Sequence, residues 1–193
     1  MAIRGAFAIH KGAAVLGLCL FVLSPILSAQ SFLGLKKPSI EAFGGYSYFR
    51  FNGSQLGYAN SLNLNGGEFE ISLPGFYRGL GLAIDTSGHY SSEMAEFNFL
   101  FGPQYTFGVG SFRVFAHGLI GKTRVRLLNA GNTQIGVSSF GDELAIGGGI
   151  DYPWKKKLWL RPIQADVLDT GAFGDRFHNI RISTGVIYRF GKP

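Results

Sequence analysis

Several long segments of the chain alternate apolar and polar residues with a period of two. In the segment 96–107, five aromatic residues share one parity: Phe97, Phe99, Phe101, Tyr105 and Phe107. Glycine and polar side chains occupy most of the other parity, and the segments 79–90, 140–152 and 179–190 repeat the pattern. Because successive side chains of a β-strand point to opposite faces, this period predicts strands with one apolar and one polar face. We therefore expect an all-β protein.

Eight such strands are predicted, at 40–51, 63–73, 79–90, 95–107, 111–123, 140–152, 158–168 and 179–190. Most are about 10–12 residues long, whereas soluble strands average about 5–6 residues and a membrane-spanning strand needs about 9–11. Many of the apolar positions near the strand ends are aromatic, as in the aromatic girdles of membrane barrels. The alternate, polar positions contain many small residues, which fit the narrow interior of a barrel. The pattern predicts a closed, antiparallel, up-and-down transmembrane β-barrel of about eight strands.

Closure of this barrel requires the last strand, 179–190, to pair with the first, 40–51, because lipid offers no partners to an open sheet edge. Three connections are short: 74–78, 108–110 and 153–157. Of the other four, 91–94 is also short, whereas 52–62, 124–139 and 169–178 are long, and 124–139 is the longest. Short connections lie on the periplasmic side of such barrels, so both chain termini are expected there. Pro74 and Gly75 are typical turn residues and predict the first short turn.

Two strands fit the alternation imperfectly. In the seventh strand, the polar residues Arg161 and Asp166 have opposite parity. A β-bulge near Pro162 would turn both side chains to the same face. In the fifth strand, His117 shares its parity with apolar residues as well as with Arg113, so the register of that strand stays open.

The polar parity predicts a set of charged residues inside the barrel. An eight-stranded barrel is filled by its own side chains, and charges placed there must be paired. The predicted interior residues are Asp85, His89, Arg113, His117, Glu143, Asp151, Asp166, Arg181 and Arg189, together with Glu41. We interpret this set as a structural polar network and not as a catalytic site.

Residues 1–29 have the layout of a secretory signal peptide. The basic residues Arg4 and Lys11 precede an apolar run, and the small residue Ala29 stands at the expected cleavage site. We expect the signal peptide to be cleaved. A short lead at 30–38 and the barrel domain at 39–193 then make up the exported protein.

Cleavage would also remove Cys19, which is the only cysteine of the chain, so that no disulfide is expected. It would lower the formal net charge from +6 to +4. The remaining positive charge forms no dense tract, whereas nucleic-acid-binding proteins show a clustered basic footprint. Nucleic acid is therefore not an expected partner.

The segments 41–48, 147–152, 160–166 and 183–190 resemble strands of small, porin-like outer-membrane barrels of the outer membrane protein A type. The resemblance covers essentially all of the chain after the signal peptide. It implies export to the Gram-negative outer membrane, contact with membrane lipid and lipopolysaccharide, and insertion by the barrel assembly machinery.

That machinery typically recognises a last strand with alternating hydrophobic residues and a terminal aromatic residue. By resemblance, five residues supply this assembly signal: Ile182, Thr184, Val186, Tyr188 and Phe190. The chain departs from the pattern because three residues, 191–193, follow Phe190.

Three functions are compatible with such a barrel. The first is a non-enzymatic role in envelope integrity or in surface-loop binding, with Arg124 and Arg126 of loop 124–139 meeting lipopolysaccharide phosphates. The second is an enzyme that modifies lipid A, and the third is a narrow channel for small solutes. Eight strands leave little lumen, which argues against the channel.

The enzyme hypothesis rests on Asp85, Ser87 and His89, which are the residue types of a hydrolase triad and share one face. Residues two apart on a strand lie about 6.5 Å apart, however, whereas triad partners must come within about 3 Å. The histidines are scattered without metal-ligand spacing. We therefore predict a protein that is not an enzyme and has no cofactor or metal.

Overall fold

The structure, a computed structural model, describes residues 39–53, 61–130 and 133–190. Its strands are β1 (Ile40–Phe51), β2 (Leu62–Tyr77), β3 (Leu80–Tyr90), β4 (Met94–Val109), β5 (Phe112–Ala130), β6 (Thr133–Pro153), β7 (Leu158–Ala172) and β8 (Asp175–Phe190). Each strand pairs with its neighbours in chain order and β8 pairs with β1, which closes the barrel. The predicted fold class is confirmed. The predicted signal peptide (1–29) and lead (30–38) lie outside the described residues.

The barrel has two distinct ends. One end, which we call the terminal end, contains the first residue of β1, the last residue of β8 and the connections β2–β3, β4–β5 and β6–β7. The other four connections lie at the opposite, distal end. Within the described residues there is no helix long and apolar enough to span a membrane.

The first and last strands close the barrel along one continuous ladder. Their pairing runs from Ile40 opposite Phe190 to Arg50 opposite Ile180, as predicted. Near the middle of this seam, Gly45 lies opposite Gly185. A Cβ atom on Gly45 would lie 2.1 Å from the carbonyl oxygen of Thr184, so the two backbones approach too closely for any side chain.

The outer face of the barrel is apolar. Phe97, Phe99 and Phe101 point outward along β4 and are each about half exposed. Exposed aliphatic residues continue this surface on other strands, for example Ile146 on β6 and Val167 on β7. An apolar outer surface is stable where lipid replaces water, as the alternation predicts.

The distal parts of the strands are longer than predicted. β5 and β6 extend through most of the predicted loop 124–139, so that Arg124 and Arg126 lie on a strand and not in a loop. Most of 169–178 likewise belongs to β7 and β8. On β5 the outward residues beyond Ile120 are Lys122, Arg124 and Arg126, which hide the hydropathy signal of a strand, although the backbone ladder with β6 continues.

The predicted turn at Pro74 and Gly75 is wrong. The chain reverses at Arg78 and Gly79, which have φ angles of 48° and 92°. Two consecutive positive φ angles are what a two-residue hairpin turn of type I′ requires. Pro74 lies instead in an irregular part of β2, where the register with β3 shifts between Leu73 and Tyr77. Proline has no N–H to donate, which suits a bulge and not a regular ladder.

The predicted bulge in β7 is confirmed. The register between β7 and β8 shifts between Arg161 and Gln164. As a result Arg161, Gln164 and Asp166 are all buried in spite of their opposite parity. In β5, Arg113 and His117 are both buried, which resolves the open register of that strand.

The interior changes character along the barrel. Charged side chains occupy the terminal end and the middle. Apolar side chains fill the distal end: Phe49, Phe51, Leu64, Met94, Val125 and Phe177. The rings of Phe51 and Phe177 pack at 4.9 Å between centroids. The distal mouth is therefore closed by hydrophobic packing.

Candidate functional site: the charged interior and the distal rim

Arg181 is completely buried and joins several acidic partners. Its Nη1 donates to Asp85 Oδ1 at 2.9 Å and to Ser87 Oγ at 3.1 Å. Its Nε donates to Asp166 Oδ2 at 2.9 Å. A buried guanidinium is tolerated because carboxylates neutralise it and accept its hydrogen bonds.

Arg161 is the second fully buried arginine. Its Nε donates to Asp151 Oδ1 at 2.9 Å, and Glu70 Oε1 lies 3.4 Å from both terminal nitrogens. Its guanidinium carbon also lies 4.5 Å from the ring centroid of Phe43 and 4.2 Å from that of Phe115. The aromatic rings thus replace part of the lost hydration through cation–π attraction.

Arg113 lies near the terminal end. It binds Glu41 through two hydrogen bonds of 2.6 Å and reaches Asp151 Oδ2 at 2.7 Å. Arg189 Nε approaches Glu41 Oε1 at 2.7 Å from the same end. The ring of Trp159 contacts both guanidinium groups, at 4.8 and 4.6 Å. Glu41 therefore lies between Arg113 and Arg189, and Asp151 lies between Arg113 and Arg161. Each carboxylate neutralises part of the charge of two guanidinium groups.

Gln164 connects these clusters. It accepts a hydrogen bond from Arg161 and donates from Nε2 to Glu68 at 2.8 Å and to Asp166 at 2.9 Å. His117 Nε2 lies 2.7 Å from Asp166 Oδ1. The three fully or largely buried arginines therefore belong to one continuous hydrogen-bonded network.

A second, smaller group lies nearer the distal end. His89 Nε2 lies 2.9 Å from Ser47 Oγ, and His89 Nδ1 lies 3.8 Å from Glu96 Oε2. Glu143 Oε1 accepts a hydrogen bond of 2.7 Å from Thr170. Within the described part of the chain, no arginine or lysine forms an ion pair with either glutamate.

Eight of the nine predicted interior residues belong to the continuous network: Asp85, Arg113, His117, Asp151, Asp166, Arg181, Arg189 and, through Ser47, Ser183 and Glu68, also His89. The ninth, Glu143, accepts a hydrogen bond from Thr170 nearer the distal end. Sequence reasoning missed Glu68, Glu70, Glu96 and Gln164, which are all buried. The two glutamates of β2 carried a usable signal, because they alternate with apolar residues and share the inward parity.

Asp85, Ser87 and His89 of β3, the residue types of a hydrolase triad, all point inward, but their hydrogen bonds go to other residues. Arg181 holds Asp85 and Ser87, while His89 is bonded to Ser47 on another strand. Each of the three residues is therefore bonded to a partner on another strand.

The residues proposed for recognition by the assembly machinery share the outward face of β8: Ile182, Thr184, Val186, Tyr188 and Phe190. The rings of Tyr188 and Phe190 meet edge to face at 4.8 Å. Their role in assembly stays a prediction.

A row of basic side chains lies on the outer face of β5 at the distal rim. Lys122, Arg124 and Arg126 point outward on β5 and follow the exposed apolar residue Ile120. Lys122 pairs with Asp142 at 2.5 Å. The guanidinium of Arg124 lies 5.1 Å from the ring centroid of the exposed Phe140. We call these three cations the basic row.

No family model and no curated protein matches the chain. Among solved structures, Neisserial surface protein A aligns with a TM-score of 0.64 at 12% identity, covering 78% of this chain and 97% of that one. Ail, the attachment invasion locus protein of Yersinia pestis, aligns with a TM-score of 0.55 at 18% identity, covering 80% and 100%. Ail has also been solved with the heparin analogue sucrose octasulfate.

The N-terminal β-barrel domain of Pseudomonas aeruginosa OprF aligns with a TM-score of 0.50 at 13% identity, covering 80% of this chain and 98% of that one. Identities this low support the fold and nothing finer. With its apolar outer face, closed ladder and filled interior, the chain has the fold of the small eight-stranded outer-membrane β-barrels of the outer membrane protein A type.

Proposed function

We propose that this chain is a non-enzymatic structural barrel of the bacterial outer membrane whose distal rim holds the phosphates of lipopolysaccharide. The observation that carries the proposal is the filled interior. Arginines paired with carboxylates occupy the middle, and hydrophobic packing occupies the distal mouth. A filled interior makes the barrel rigid and leaves no room for a ligand inside it. Other molecules would therefore bind to its outer surface or to its rim.

The non-enzymatic role predicts two negative results. The purified barrel in a planar bilayer is expected to give no steady conductance, because Phe51 and Phe177 close the distal mouth. Lipid A from cells with and without the protein is expected to have the same acylation pattern by mass spectrometry. Stable single-channel currents would support the channel, and any altered acylation would support the lipid A enzyme; either would reject the proposal.

The basic row supports the contact with lipopolysaccharide. It follows Ile120 on β5 and lies beside the outward aromatic residues Phe97 and Phe99 of β4 and Phe140 of β6. Aromatic girdles lie at the membrane interfaces, which is the level of lipid phosphates if the distal end faces outward. Arginine binds phosphate oxygens through paired N–H donors, and Arg124 is held near the ring of Phe140. The sulfated ligand of Ail is likewise a polyanion, although it belongs to that protein.

Replacing Arg124 and Arg126 by glutamine is expected to weaken binding of lipopolysaccharide to the barrel by tenfold or more. Each cation near an anionic lipid surface contributes about 1 kcal/mol. Affinity can be measured by titrating the folded barrel in neutral detergent with purified lipopolysaccharide. The control is the double change of Lys155 and Lys156 to glutamine, which removes equal charge at the terminal end. Equal weakening by both double variants would reject a specific contribution of the basic row.

A further inference from the structure

The two ends of the barrel differ in their exposed charges. All 12 aspartates and glutamates of the chain lie within the described residues, and most of them are buried inside the barrel. The others lie at the distal end: Glu93, Asp142, Asp169 and Asp175. The turns of the terminal end therefore carry no exposed aspartate or glutamate, although they carry exposed cations: Arg78, Lys155, Lys156 and Lys157.

Three of these cations lie together in one ordered turn. Lys155, Lys156 and Lys157 belong to the connection between β6 and β7, and we call them the lysine turn. The backbone N–H of Lys155 donates to the carbonyl oxygen of Leu158 at 2.8 Å, and the carbonyl oxygen of Lys157 accepts from the N–H of Arg189 at 2.8 Å. Adjacent ammonium groups repel one another, and this end offers no carboxylate to offset them. The turn is thus a fixed group of cations that an anion from outside the chain would stabilise.

Aromatic side chains place the lysine turn at the membrane interface. Trp154 directly precedes the turn and is 55% exposed, and the Nζ atom of Lys155 lies 4.8 Å from the centroid of its ring. The exposed rings of Tyr152 and Phe112 lie nearby on the outer face, 5.4 Å apart between centroids. Tryptophan and tyrosine rings of membrane proteins lie at the level of the lipid headgroups. The amine of Lys155 is therefore at the level of lipid phosphates.

The turn between β2 and β3 repeats this arrangement. The guanidinium carbon of Arg78 lies 5.5 Å from the ring centroid of Tyr77, whose side chain is exposed on the outer face. Both turns thus hold a cation against an aromatic ring of the interface. A cation held there meets lipid headgroups, whereas a cation that projected away from the membrane would meet soluble anions or the cell wall.

We propose that the lysine turn binds the phosphate groups of anionic phospholipids in the leaflet at the terminal end and selects them over zwitterionic phospholipids. Lysine binds phosphate as a point charge, and each cation near an anionic lipid surface contributes about fivefold in affinity. A zwitterionic headgroup carries its own ammonium group, which the lysines repel. The surface is separate from the basic row at the distal rim, so that this proposal goes beyond the lipopolysaccharide contact.

The test measures which phospholipid gathers beside the lysine turn. Both tryptophans of the chain, Trp154 and Trp159, lie at the terminal end, so that quenching of their fluorescence by lipids with brominated chains reports on the lipids there. In mixed vesicles, the wild-type barrel is expected to favour phosphatidylglycerol over phosphatidylcholine by about tenfold or more. Raising the salt concentration to about 0.5 M is expected to reduce this preference, because exposed charges are screened.

Two triple variants separate charge from other effects of the turn. Lys155→Gln, Lys156→Gln and Lys157→Gln together are expected to lower the preference to less than about twofold. Arginine at the same three positions keeps the charge and is expected to preserve the preference. The two brominated lipids are compared within each variant, which cancels any change in the fluorescence of Trp154 itself. Heat-modifiable gel mobility identifies the folded barrel.

The matched control removes cations from the other end of the barrel. Arg124→Gln with Arg126→Gln is expected to keep the preference for phosphatidylglycerol, because both residues lie at the distal rim. A wild type without this preference, or a glutamine triple variant that retains it, would overturn the proposal. If the triple variant does not fold, a wild-type preference that salt leaves unchanged would equally overturn it.

Co-sedimentation with purified peptidoglycan examines the competing partner. Wild-type barrel in detergent is expected to stay in the supernatant. Sedimentation of the wild type that the glutamine triple variant loses, without any lipid preference, would assign the lysine turn to the cell wall and overturn the lipid site. Failure of the basic row to bind lipopolysaccharide would contradict the proposed function and leave the preference at the terminal end unchanged.

Discussion

Replacing Arg181 by methionine is expected to lower the free energy of unfolding of the barrel by about 3–5 kcal/mol. The guanidinium is fully buried and donates to Asp85 and Asp166, with Glu68 Oε2 3.6 Å from its Nε. Without it, these carboxylates would lie close together in the barrel interior without their shared counter-charge. Urea unfolding of the barrel in phospholipid vesicles, followed by tryptophan fluorescence and by heat-modifiable mobility, measures the loss.

Arg176→Met is the matched control for this prediction. Arg176 pairs with Asp169 at 3.2 Å, but its side chain is 59% exposed. Surface pairs of this kind contribute about 0–1 kcal/mol, so this variant is expected to unfold close to the wild type. Adding Asp85→Asn and Asp166→Asn to Arg181→Met should recover part of the stability, because the stranded charges are removed. A wild-type midpoint for Arg181→Met would contradict the structural role of the network.

Replacing Gly45 by alanine is expected to destabilise the barrel by about 3 kcal/mol or more, because the methyl group overlaps backbone atoms of β8. The added Cβ would lie 2.1 Å from Thr184 O and 2.9 Å from the Cα atom of Gly185. No side-chain rotation relieves a clash with backbone, so the two strands must separate. A separated seam leaves N–H and C=O groups unpaired in lipid, which is costly.

The adjacent glycine provides the control. Gly44→Ala places its methyl group where no atom lies within 4 Å, on the outer face of the same strand. Its unfolding free energy is expected to stay within about 0.5 kcal/mol of the wild type. The folded fraction after refolding into vesicles, read from the heat-modifiable band, compares the two variants. Similar folded fractions for both alanine variants would show that the seam tolerates separation.

The arginine network makes few demands on the precision of the fold. It needs only that inward arginines and carboxylates lie within reach, and long side chains satisfy this over several strands.

The period-two alternation was sufficient to predict most of the barrel. It placed β1 at its observed bounds, identified β8 as the closing partner and put Asp85 and Arg181 on the inner face. It failed where the outward residues of β5 become basic, because Arg124 and Arg126 resemble loop residues by hydropathy alone. It also placed the first turn at Pro74, since proline and glycine indicate both turns and bulges.

By itself, the sequence determined the number of strands, their two faces and the apolar outer surface, because these depend on the alternation of neighbouring residues. Only the tertiary structure decided which inward side chains meet. Arg113 binds Glu41, which is 72 residues away in the chain, because β-strand stagger around a closed barrel brings both to the terminal end. The same stagger brings Arg181 of β8 to Asp85 of β3, which is 96 residues away in the chain.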